Sequence, residues 1–416
     1  AQPTVSVNRA PVALAGAKTG LGSARDVETD AAGRIYVLTP TAVRVFAASA
    51  RGNAAPVRSV PVSPPNAEAT SRVAVDGDGW VYVLSVRNEE PASSSVTVFR
   101  PGASTPDGTY SQDDLGVEWP IDLTGVGAQV AIADYGASDV KVFALHSGDT
   151  TQVRALAPGT AGPTRIDLPV AIDSDRAGRL VLSGSSWVAV FGPGADSTEV
   201  PTTAPQRFVQ GSRTGLGADG RVTTGVGLDA RGRVLVVSAE QYAVDDVTFA
   251  TRNPRVLVFA ASATGNAAPQ AVLRGARSGL GTSSGLEVAP SGALVTNRYD
   301  PDAGAWAAGV SVHRPLGPYA APGKPRTVRV AGAAGAARRT ITWKPARTDP
   351  DTPVLGYTVK VVCGGATKAT RKLPRSARSA TVALGSFRRG RCTARVDARN
   401  ALGTGGPGTI SFAVRR

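Results

Sequence analysis

The sequence predicts an all-β protein in which repeated four-stranded sheets are followed by a small β-sandwich. Three observations carry this prediction: short apolar segments separated by Asp/Gly turns, a unit that returns six times, and a change of composition near residue 316. Hydrophobic residues are 42% of the 416 residues, which excludes a disordered polyelectrolyte and allows a large core. Two Cys and two His are too few for a Cys/His zinc cluster, and no apolar run is long enough to span a bilayer.

The repeated unit is clearest where an apolar strand ends in Asp-x-x-Gly and a second apolar strand follows. Residues 27–38 read Val-Glu-Thr-Asp-Ala-Ala-Gly-Arg-Ile-Tyr-Val-Leu, and residues 73–84 read Val-Ala-Val-Asp-Gly-Asp-Gly-Trp-Val-Tyr-Val-Leu. Residues 228–237 keep this frame, and weaker copies begin near residues 121, 172 and 286. Each unit closes on a third strand that ends at Phe46, Phe99, Phe143, Phe191, Phe259 or His313. Four strands in each of six units are typical of the blades of a β-propeller.

The N-terminal segment has the sequence of a fourth strand. Residues 12–22 read Val-Ala-Leu-Ala-Gly-Ala-Lys-Thr-Gly-Leu-Gly, and residues 271–281 read Ala-Val-Leu-Arg-Gly-Ala-Arg-Ser-Gly-Leu-Gly. We therefore expect residues 10–15 to be the outer strand of the sixth unit, beside the strand that ends at His313, which leaves no open edge between the first and last sheets. The prediction is a six-bladed β-propeller closed by an N-terminal strand. The repeated frame resembles the NHL-type β-propeller family over about residues 10–315, and this resemblance implies a fold without specifying a function.

A Pro/Gly-rich linker at residues 316–324 separates residues 1–315 from a second domain at residues 325–416. Trp343, Tyr357 and the loop Asn400-Ala-Leu-Gly occur in the order of a fibronectin type III sandwich, which this domain resembles. The resemblance implies that Trp343 is the core tryptophan and that Tyr357 opens the next strand. Cys392 stands where that family usually has a buried Tyr, and Cys363 ends the neighbouring strand. In an exported chain we expect a disulfide between them, the alternative being two buried free thiols.

The start of the chain and its charge bear on where the protein works. Ala1-Gln2-Pro3, with no Met, is interpreted as a product of signal-peptide cleavage, which predicts a secreted or cell-surface protein; the alternative is a trimmed chain. From Ala321 onward there are 20 Lys+Arg and three Asp, a net charge of +17, whereas the rest of the chain has 26 Lys+Arg and 29 Asp+Glu, a net charge of −3. This asymmetry favours attachment of the small domain to an anionic cell-envelope polymer, and the alternative is plain solubility. The predicted basic surface comprises Arg338, Arg339, Arg371, Lys372, Arg388, Arg389 and Arg391.

Polar and aromatic residues gather at the predicted crossover loops and at the loops after each second strand, where a propeller builds its ligand face. Mixed groups of this kind suit a glycan or a protein ligand, and ordinary surface variation is the alternative. Long insertions at residues 239–254 and 297–309 lie on the same face by this reasoning. The predicted ligand-binding residues are Arg25, Asp26, Arg72, Arg87, Asp134, Tyr135, Glu240, Asn297, Arg298 and Tyr299.

Two other motifs resemble ligand loops. The segment Gly16–Gly22 recurs at Gly211–Gly217 and Gly275–Gly281 and lacks the Gly-Lys-Thr/Ser core of a phosphate loop. Its basic residues Lys18, Arg213 and Arg277 are predicted to form a cationic arc, although a repeated structural turn is the preferred interpretation. Asp76-Gly-Asp-Gly resembles the start of a calcium loop but lacks the later ligands, so a structural turn is again preferred.

A catalytic constellation is not apparent in the sequence. His146 falls in a loop, and His313 replaces a packed Phe. The inner strands are expected to carry mostly Gly, Ala, Ser and aliphatic residues, with few converging carboxylates, so we expect no catalytic residue, metal or cofactor. The favoured function is a non-catalytic binding protein for a glycan or protein. The alternatives are a structural subunit of an extracellular assembly and a carboxylate-metal hydrolase or lyase. Sequence-specific nucleic-acid binding is not expected, because the basic domain has few aromatic residues for base stacking.

Overall fold

The computed structural model describes residues 4–62, 71–87, 93–156, 166–193, 204–243, 249–275, 277–280, 285–300 and 305–415. Residues Ser6–Leu316 form one compact unit and residues Gly317–Arg416 belong to a second. Both are built from antiparallel β-sheets, so the all-β prediction is confirmed. We call the first the six-sheet unit and the second the sandwich unit.

The six-sheet unit begins with two short strands, β1 (Val5–Val7) and β2 (Val12–Leu14). Three four-stranded sheets follow in chain order. The first holds β3 (Asp26–Thr29), β4 (Ile35–Leu38), β5 (Ala42–Phe46) and β6 (Arg58–Pro61). The second holds β7 (Arg72–Val75), β8 (Val81–Arg87), β9 (Ser93–Phe99) and β10 (Gly108–Ser111). The third holds β11 (Pro120–Val126), β12 (Gln129–Asp134), β13 (Asp139–Phe143) and β14 (Gln152–Leu156).

Three further sheets complete this unit. The fourth holds β15 (Ala171–Ser174), β16 (Leu180–Ser183), β17 (Trp187–Phe191) and β18 (Arg207–Gln210). The fifth holds β19 (Arg221–Leu228), β20 (Val234–Ala243), β21 (Phe249–Phe259), β22 (Ala271–Leu273) and, beside β22, β1. The sixth holds β23 (Leu286–Val288), β24 (Leu294–Asp300), β25 (Ala305–His313) and β2. The helices are single turns: α1 (Gln112–Leu115) and 3₁₀ turns at Ala17–Thr19, Leu145–Ser147 and Ala218–Gly220.

The turn between the first and second strands is held by its Asp. Asp76 Oδ1 accepts the N–H groups of Asp78 and Trp80 at 3.0 and 2.9 Å, and Oδ2 accepts the Tyr82 hydroxyl at 2.8 Å. Asp30, Asp175 and Asp229 hold their turns with the same pair of backbone N–H groups. A carboxylate that satisfies two backbone donors in this way replaces ladder bonds that a turn cannot make. The contacts of Asp76 therefore favour the structural-turn interpretation over a calcium loop.

The first strands of consecutive sheets contact one another in a closed cycle, β3–β7–β11–β15–β19–β23–β3. Between sheets lie apolar clusters into which the closing Phe residues of the third strands are fully buried. His313 takes this position in the sixth sheet at 1% exposure, and burial together with nearby Arg9 lowers the pKa of its imidazole to about 4. A neutral, buried ring packs here as Phe does elsewhere.

The N-terminal strand lies where the sequence predicts. β2 pairs antiparallel with β25, with Val12 opposite Val312 and Leu14 opposite Val310. The segment before it repeats a loop found twice in the interior. Asn53, Asn266 and Asn8 accept the backbone N–H groups of Lys18, Arg213 and Arg277 at 2.8, 2.7 and 3.2 Å respectively. The N-terminal segment thus supplies the strand and the loop anchor that the last sheets need.

The sandwich unit has two sheets. Its strands are β26 (Arg326–Ala331), β27 (Arg338–Lys344), β28 (Gly356–Cys363), β29 (Ala366–Pro374), β30 (Ser379–Ala383), β31 (Arg389–Asn400), β32 (Gly403–Thr404) and β33 (Gly408–Arg415). One sheet has the order β26-β27-β30, and the other has the order β29-β28-β31, with β32 and β33 also paired to β31. The core contains Trp343 and Tyr357 with ring centroids 5.4 Å apart. Cys363 and Cys392 face each other across β28 and β31 and form the predicted disulfide.

Candidate functional site

Five carboxylates converge where the first strands of the six-sheet unit meet. They line a cavity of about 20 Å³, which has room for one water molecule. The group comprises Asp26, Glu28, Asp122, Asp173 and Glu287, and we call it the carboxylate cluster. The expectation of few converging carboxylates is therefore wrong. The sequence signal was a two-residue spacing on a short strand, as in Asp26 and Glu28, because alternate residues of a strand point to one side.

The carboxylate cluster links neighbouring sheets. Three of its members accept a backbone N–H from the first strand of the next sheet, each at 2.9 Å: Asp26 from Val73, Asp122 from Ile172 and Asp173 from Leu228. Thr29 Oγ1 donates to Glu287 Oε1 at 2.7 Å, which joins the first and sixth sheets. The Arg72 guanidinium lies 3.6 Å from Asp122 and joins the second and third. These contacts give the cluster a structural role in the fold.

Burial raises the pKa of every carboxyl group in the cluster. For Asp122, burial outweighs the attraction of nearby Arg72 and raises the pKa to about 7. Burial likewise raises the pKa of Glu287 to about 7. Burial, and then repulsion by Glu287, raise the pKa values of Glu28 and Asp173 well above their ordinary range. Near neutral pH the cluster therefore retains protons that isolated, solvated carboxyl groups would have released. The buried carboxyl groups share these protons.

Half of the predicted ligand-binding residues are buried rather than open to solvent. They are Arg25, Asp26, Arg72, Asp134 and Asn297. Asp26 and Arg72 belong to the contacts at the carboxylate cluster. The Asn297 side chain donates to the carbonyl of Arg25 at 2.5 Å and accepts the Gly285 N–H at 3.1 Å. These side chains hold the strand ends in place, and the ligand contacts expected of them stay predictions.

The remaining residues of that set divide into two groups. Tyr135 and Glu240 are half-buried, and Glu240 forms ion pairs with Arg221 at 2.6 Å and Arg252 at 3.4 Å. Arg87, Arg298 and Tyr299 lie at strand ends, and their side chains fall outside the described residues. Where the long insertions fall within the described residues they are strand, although loops were predicted. Tyr242 of β20 pairs with Ala250 of β21, and Asp300 of β24 pairs with Ala305 of β25. Their alternating polar residues satisfy the strand pattern as well as they satisfy a loop.

An exposed aromatic pair lies beside the buried Asp134. Trp119, which directly precedes β11, is 56% exposed, and its ring meets the Tyr135 ring edge-on at 5.4 Å between centroids. Asp134 accepts the N–H groups of Glu118 and Trp119, both at 2.8 Å, and pairs with the Lys141 ammonium at 2.9 Å. These hydrogen bonds lower the pKa of Asp134 despite its burial. Asp134 and Tyr135 belong to the predicted set of ligand-binding residues, whereas Trp119 does not. Trp119 directly precedes β11, which is the same crossover position that Arg25 occupies before β3.

The three predicted members of the cationic arc are exposed. Lys18, Arg213 and Arg277 sit on equivalent turns whose backbone is fixed by the three Asn residues described above. This repeated anchor supports the structural-turn interpretation of the motif. A shared ligand for the three side chains stays a prediction.

The sandwich unit presents a cationic surface on the outer side of one sheet. Tyr357, Val359 and Val361 of β28 point into the core, so Thr358 and Lys360 point outward. Across the strands Lys360 stands opposite Arg395, and Arg389 stands opposite Arg415. We define the cationic face as the exposed residues Lys360, Lys372, Arg389, Arg391, Arg395 and Arg415. Thr358, Thr370, Thr393, Thr409 and Ser411 interleave with them, and the acid among these rows is Asp397, which pairs with Arg395.

The predicted basic surface is thereby revised. Lys372, Arg389 and Arg391 lie on the cationic face. Arg388, which directly precedes Arg389, is also exposed. Arg338 is exposed on β27 of the other sheet, and Arg371 points to the side opposite Lys372 on β29. Arg339 does not lie on the surface: it is 2% exposed and donates to the carbonyls of Gly332 and Ala413. Its guanidinium also lies 5.8 Å from the centre of the Phe412 ring.

The described part of the chain shows neither a metal-binding group of side chains nor a membrane-spanning helix. There, no group of three or more His, Cys, Asp or Glu side chains is arranged to hold a metal ion. Over the same residues, no helix has the length and apolar character needed to cross a membrane.

No family model and no curated protein matches the sequence. Similar solved structures include a fibronectin type III variant named FN3tt mut, with 18% identity over 23% of this chain and 99% of that chain and a TM-score of 0.19. Another is the rat CD45 extracellular region, domains d3–d4, with 17% identity over 25% of this chain and 54% of that chain and a TM-score of 0.21. The extracellular domain of a putative one-component system from B. thetaiotaomicron matches 96% of this chain and 58% of its own length, with 8% identity and a TM-score of 0.36. At these scores the similarities carry no argument about function.

Proposed function

We propose that the chain is an exported, non-catalytic binding protein. In this proposal a six-bladed β-propeller of the NHL type recognises a glycan or protein ligand, and a fibronectin type III-like domain attaches to an anionic surface. The closed cycle of first-strand contacts and the β2–β25 pairing support the propeller. The disulfide supports export, because such bonds persist in oxidising compartments.

The observation that carries the attachment role is the cationic face. Seven exposed cations share one side of this sheet, the six of the cationic face and Arg399, and the ion pair among these residues is Arg395 with Asp397 at 2.9 Å. Neighbouring strands lie about 4.8 Å apart, so like charges stand close together and repel unless a polyanion neutralises them. The interleaved Thr and Ser hydroxyls add donors for phosphate, sulfate or carboxylate oxygens. An anionic cell-envelope polymer is the partner that fits this surface.

The test is retention of the full chain on polygalacturonate-coated beads at low and high salt. We expect retention in about 20 mM salt and release near 0.5 M, because exposed charges are screened over a few Å at high ionic strength. The triple variant Lys360→Glu/Lys372→Glu/Arg391→Glu should lose at least about tenfold in affinity. The control Arg329→Glu/Arg338→Glu/Lys344→Glu changes the net charge equally on the other sheet and should bind more tightly than the first variant.

Two results would contradict the proposal. If the wild-type chain is not retained at low salt, attachment through charge is excluded. If both triple variants lose affinity equally, net charge alone explains retention and the cationic face has no special role. A native mass of several copies, or a fixed partner chain, would instead support the structural-subunit alternative.

A further inference from the structure

We infer that Trp119, Tyr135 and Glu118 form a sugar-binding site for a neutral hexopyranose chain. The inference rests on the proposed recognition role of the six-sheet unit and names the class of ligand. Trp119 and Tyr135 present two ring walls at 68° to each other, one of them largely open to solvent. A flat, exposed aromatic face packs well against the C–H face of a pyranose ring, which is apolar although the ring edge is polar.

The backbone of the site is hydrogen-bonded in place before any ligand arrives. The carboxylate of Asp134, which is buried, accepts the backbone N–H groups of Glu118, Trp119 and Ala137 at 2.8, 2.8 and 3.3 Å. The Tyr135 N–H donates back to the Trp119 carbonyl at 2.9 Å. The backbone that carries both rings is thus tied to one buried anchor, and a backbone ordered in advance loses less entropy on binding.

Glu118 supplies the polar partner. Its side chain is exposed and lies over Gly136, where an added Cβ would come within 2.8 Å of the Glu118 Cβ and 3.3 Å of the Trp119 Cβ. Glycine at position 136 therefore leaves room for the Glu118 side chain, whose Oε2 would lie 3.2 Å from such a Cβ, and for the start of the Trp119 side chain. A carboxylate next to an aromatic wall accepts hydrogen bonds from sugar hydroxyls while the wall covers the ring.

The surroundings favour a sugar over a protein partner. Of the exposed large apolar side chains among the described residues of this unit, Val12 and Val153 lie on the outer strands β2 and β14, and Val57 directly precedes the outer strand β6. Leu168 is 42% exposed, and its N–H donates to Ser138 Oγ in the loop that follows Tyr135. One Trp, one Tyr and one Leu cover far less than the roughly 800 Å² per partner of a stable protein interface. They match one or two sugar rings.

The closing experiment uses the full chain and four probes: cellopentaose, maltopentaose, mannopentaose and chitopentaose. Affinity is measured by isothermal titration calorimetry at 0.5 M salt, where the cationic face is screened. We expect at least one probe to bind, Trp119→Ala to weaken it at least about tenfold, and Trp119→Phe to keep part of the affinity. Glu118→Gln should weaken it less. Val57→Ala, an exposed apolar change on an outer strand edge, should leave it unchanged.

Three results would overturn the inference. The first is that no probe binds, and the second is that a probe binds equally well to Trp119→Ala. The third is that a pentalysine peptide binds in place of the sugars, which assigns the aromatic pair and Glu118 to a cationic ligand. None of these results touches retention on polygalacturonate at low salt, so the attachment role stands or falls separately.

Discussion

The two units of the molecule treat charge in opposite ways. The six-sheet unit takes its central carboxylates out of water, ties three of them to backbone N–H groups of the next sheet, and raises their pKa values. The sandwich unit has apolar side chains and a disulfide at its centre and keeps its charged groups outside, with Arg339 as the buried exception. The net charge of +14 is therefore the sum of two different charge distributions, one in each unit. In one, buried acidic groups stabilise the fold in their protonated form, and in the other, charged groups are exposed and available for attachment.

The largest expected effect concerns the sandwich unit. Replacing both cysteines, Cys363→Ala/Cys392→Ala, removes a cross-link between residues 29 apart and should cost that unit about 3–4 kcal/mol in the chain-entropy model. Differential scanning calorimetry should show its transition move to lower temperature while the transition of the six-sheet unit stays in place. Equal shifts of both transitions would contradict the separation of the two units.

The next effect concerns the carboxylate cluster and has an unusual sign. Its carboxyl groups have raised pKa values when folded, about 7 for Asp122 and Glu287, so the folded state holds more protons than the unfolded state. Their contribution to stability is complete below pH 4 and is lost as pH rises through 7. We expect the unfolding free energy of the six-sheet unit to fall by about 2–4 kcal/mol across that window.

The variant Glu287→Gln tests this expectation, because it keeps an acceptor for Thr29 and removes one titrating group. Urea unfolding at a series of pH values should show a smaller pH slope for this variant than for the wild type. Asp113→Asn, a change at an exposed position on α1, is the control and should leave the slope unaltered. A wild-type stability that rises steadily from pH 4 to pH 7 would contradict the raised pKa values.

The smallest effect compares two equivalent turns. In Tyr82→Phe the Asp76 carboxylate loses its side-chain partner, whereas in Tyr36→Phe the Asp30 carboxylate keeps Arg34 Nε at 2.5 Å. We expect Tyr82→Phe to cost about 1–2 kcal/mol and Tyr36→Phe about half as much, because a buried charged acceptor without a partner costs more than one with a partner. Urea unfolding of both variants measures the difference, and the reverse order would show that Arg34 contributes nothing to its turn.

Much of the fold could be predicted because it depends on local rules that repeat. The turn Asp recurs in four sheets and the closing Phe in five, and each recurrence supports the same arrangement of strand and turn. The disulfide was predictable once Cys363 and Cys392 were placed on neighbouring strands. Each of these features can be inferred either from residues close together in sequence or from similarity to another repeat of the same unit.

The carboxylate cluster was harder to predict, because its lining comes from the first strands of six different sheets. Asp122 and Glu287 are far apart in sequence, and each taken alone is an ordinary polar residue on a short strand. The prediction that Arg339 lies on the surface failed for a related reason. Beside Arg338 it suggests a surface cluster, but alternate residues of a strand point to opposite sides, and Arg339 points inward. Trp119 was missed because the sequence does not distinguish an exposed tryptophan from a buried one. Its exposure follows from the fold.

The pairing of β2 with β25 has a consequence for synthesis. A ribosome releases Val12 about 300 residues before its partner Val312. Until then the segment that holds Val12 has no strand to pair with, and its apolar residues are available to other chains. Completion of the sixth sheet therefore comes late, and it closes a loop of very long sequence separation, which is a slow step in folding. Under this order of events, a chain that stops before Val310 leaves an unfinished unit whose first sheets are already formed.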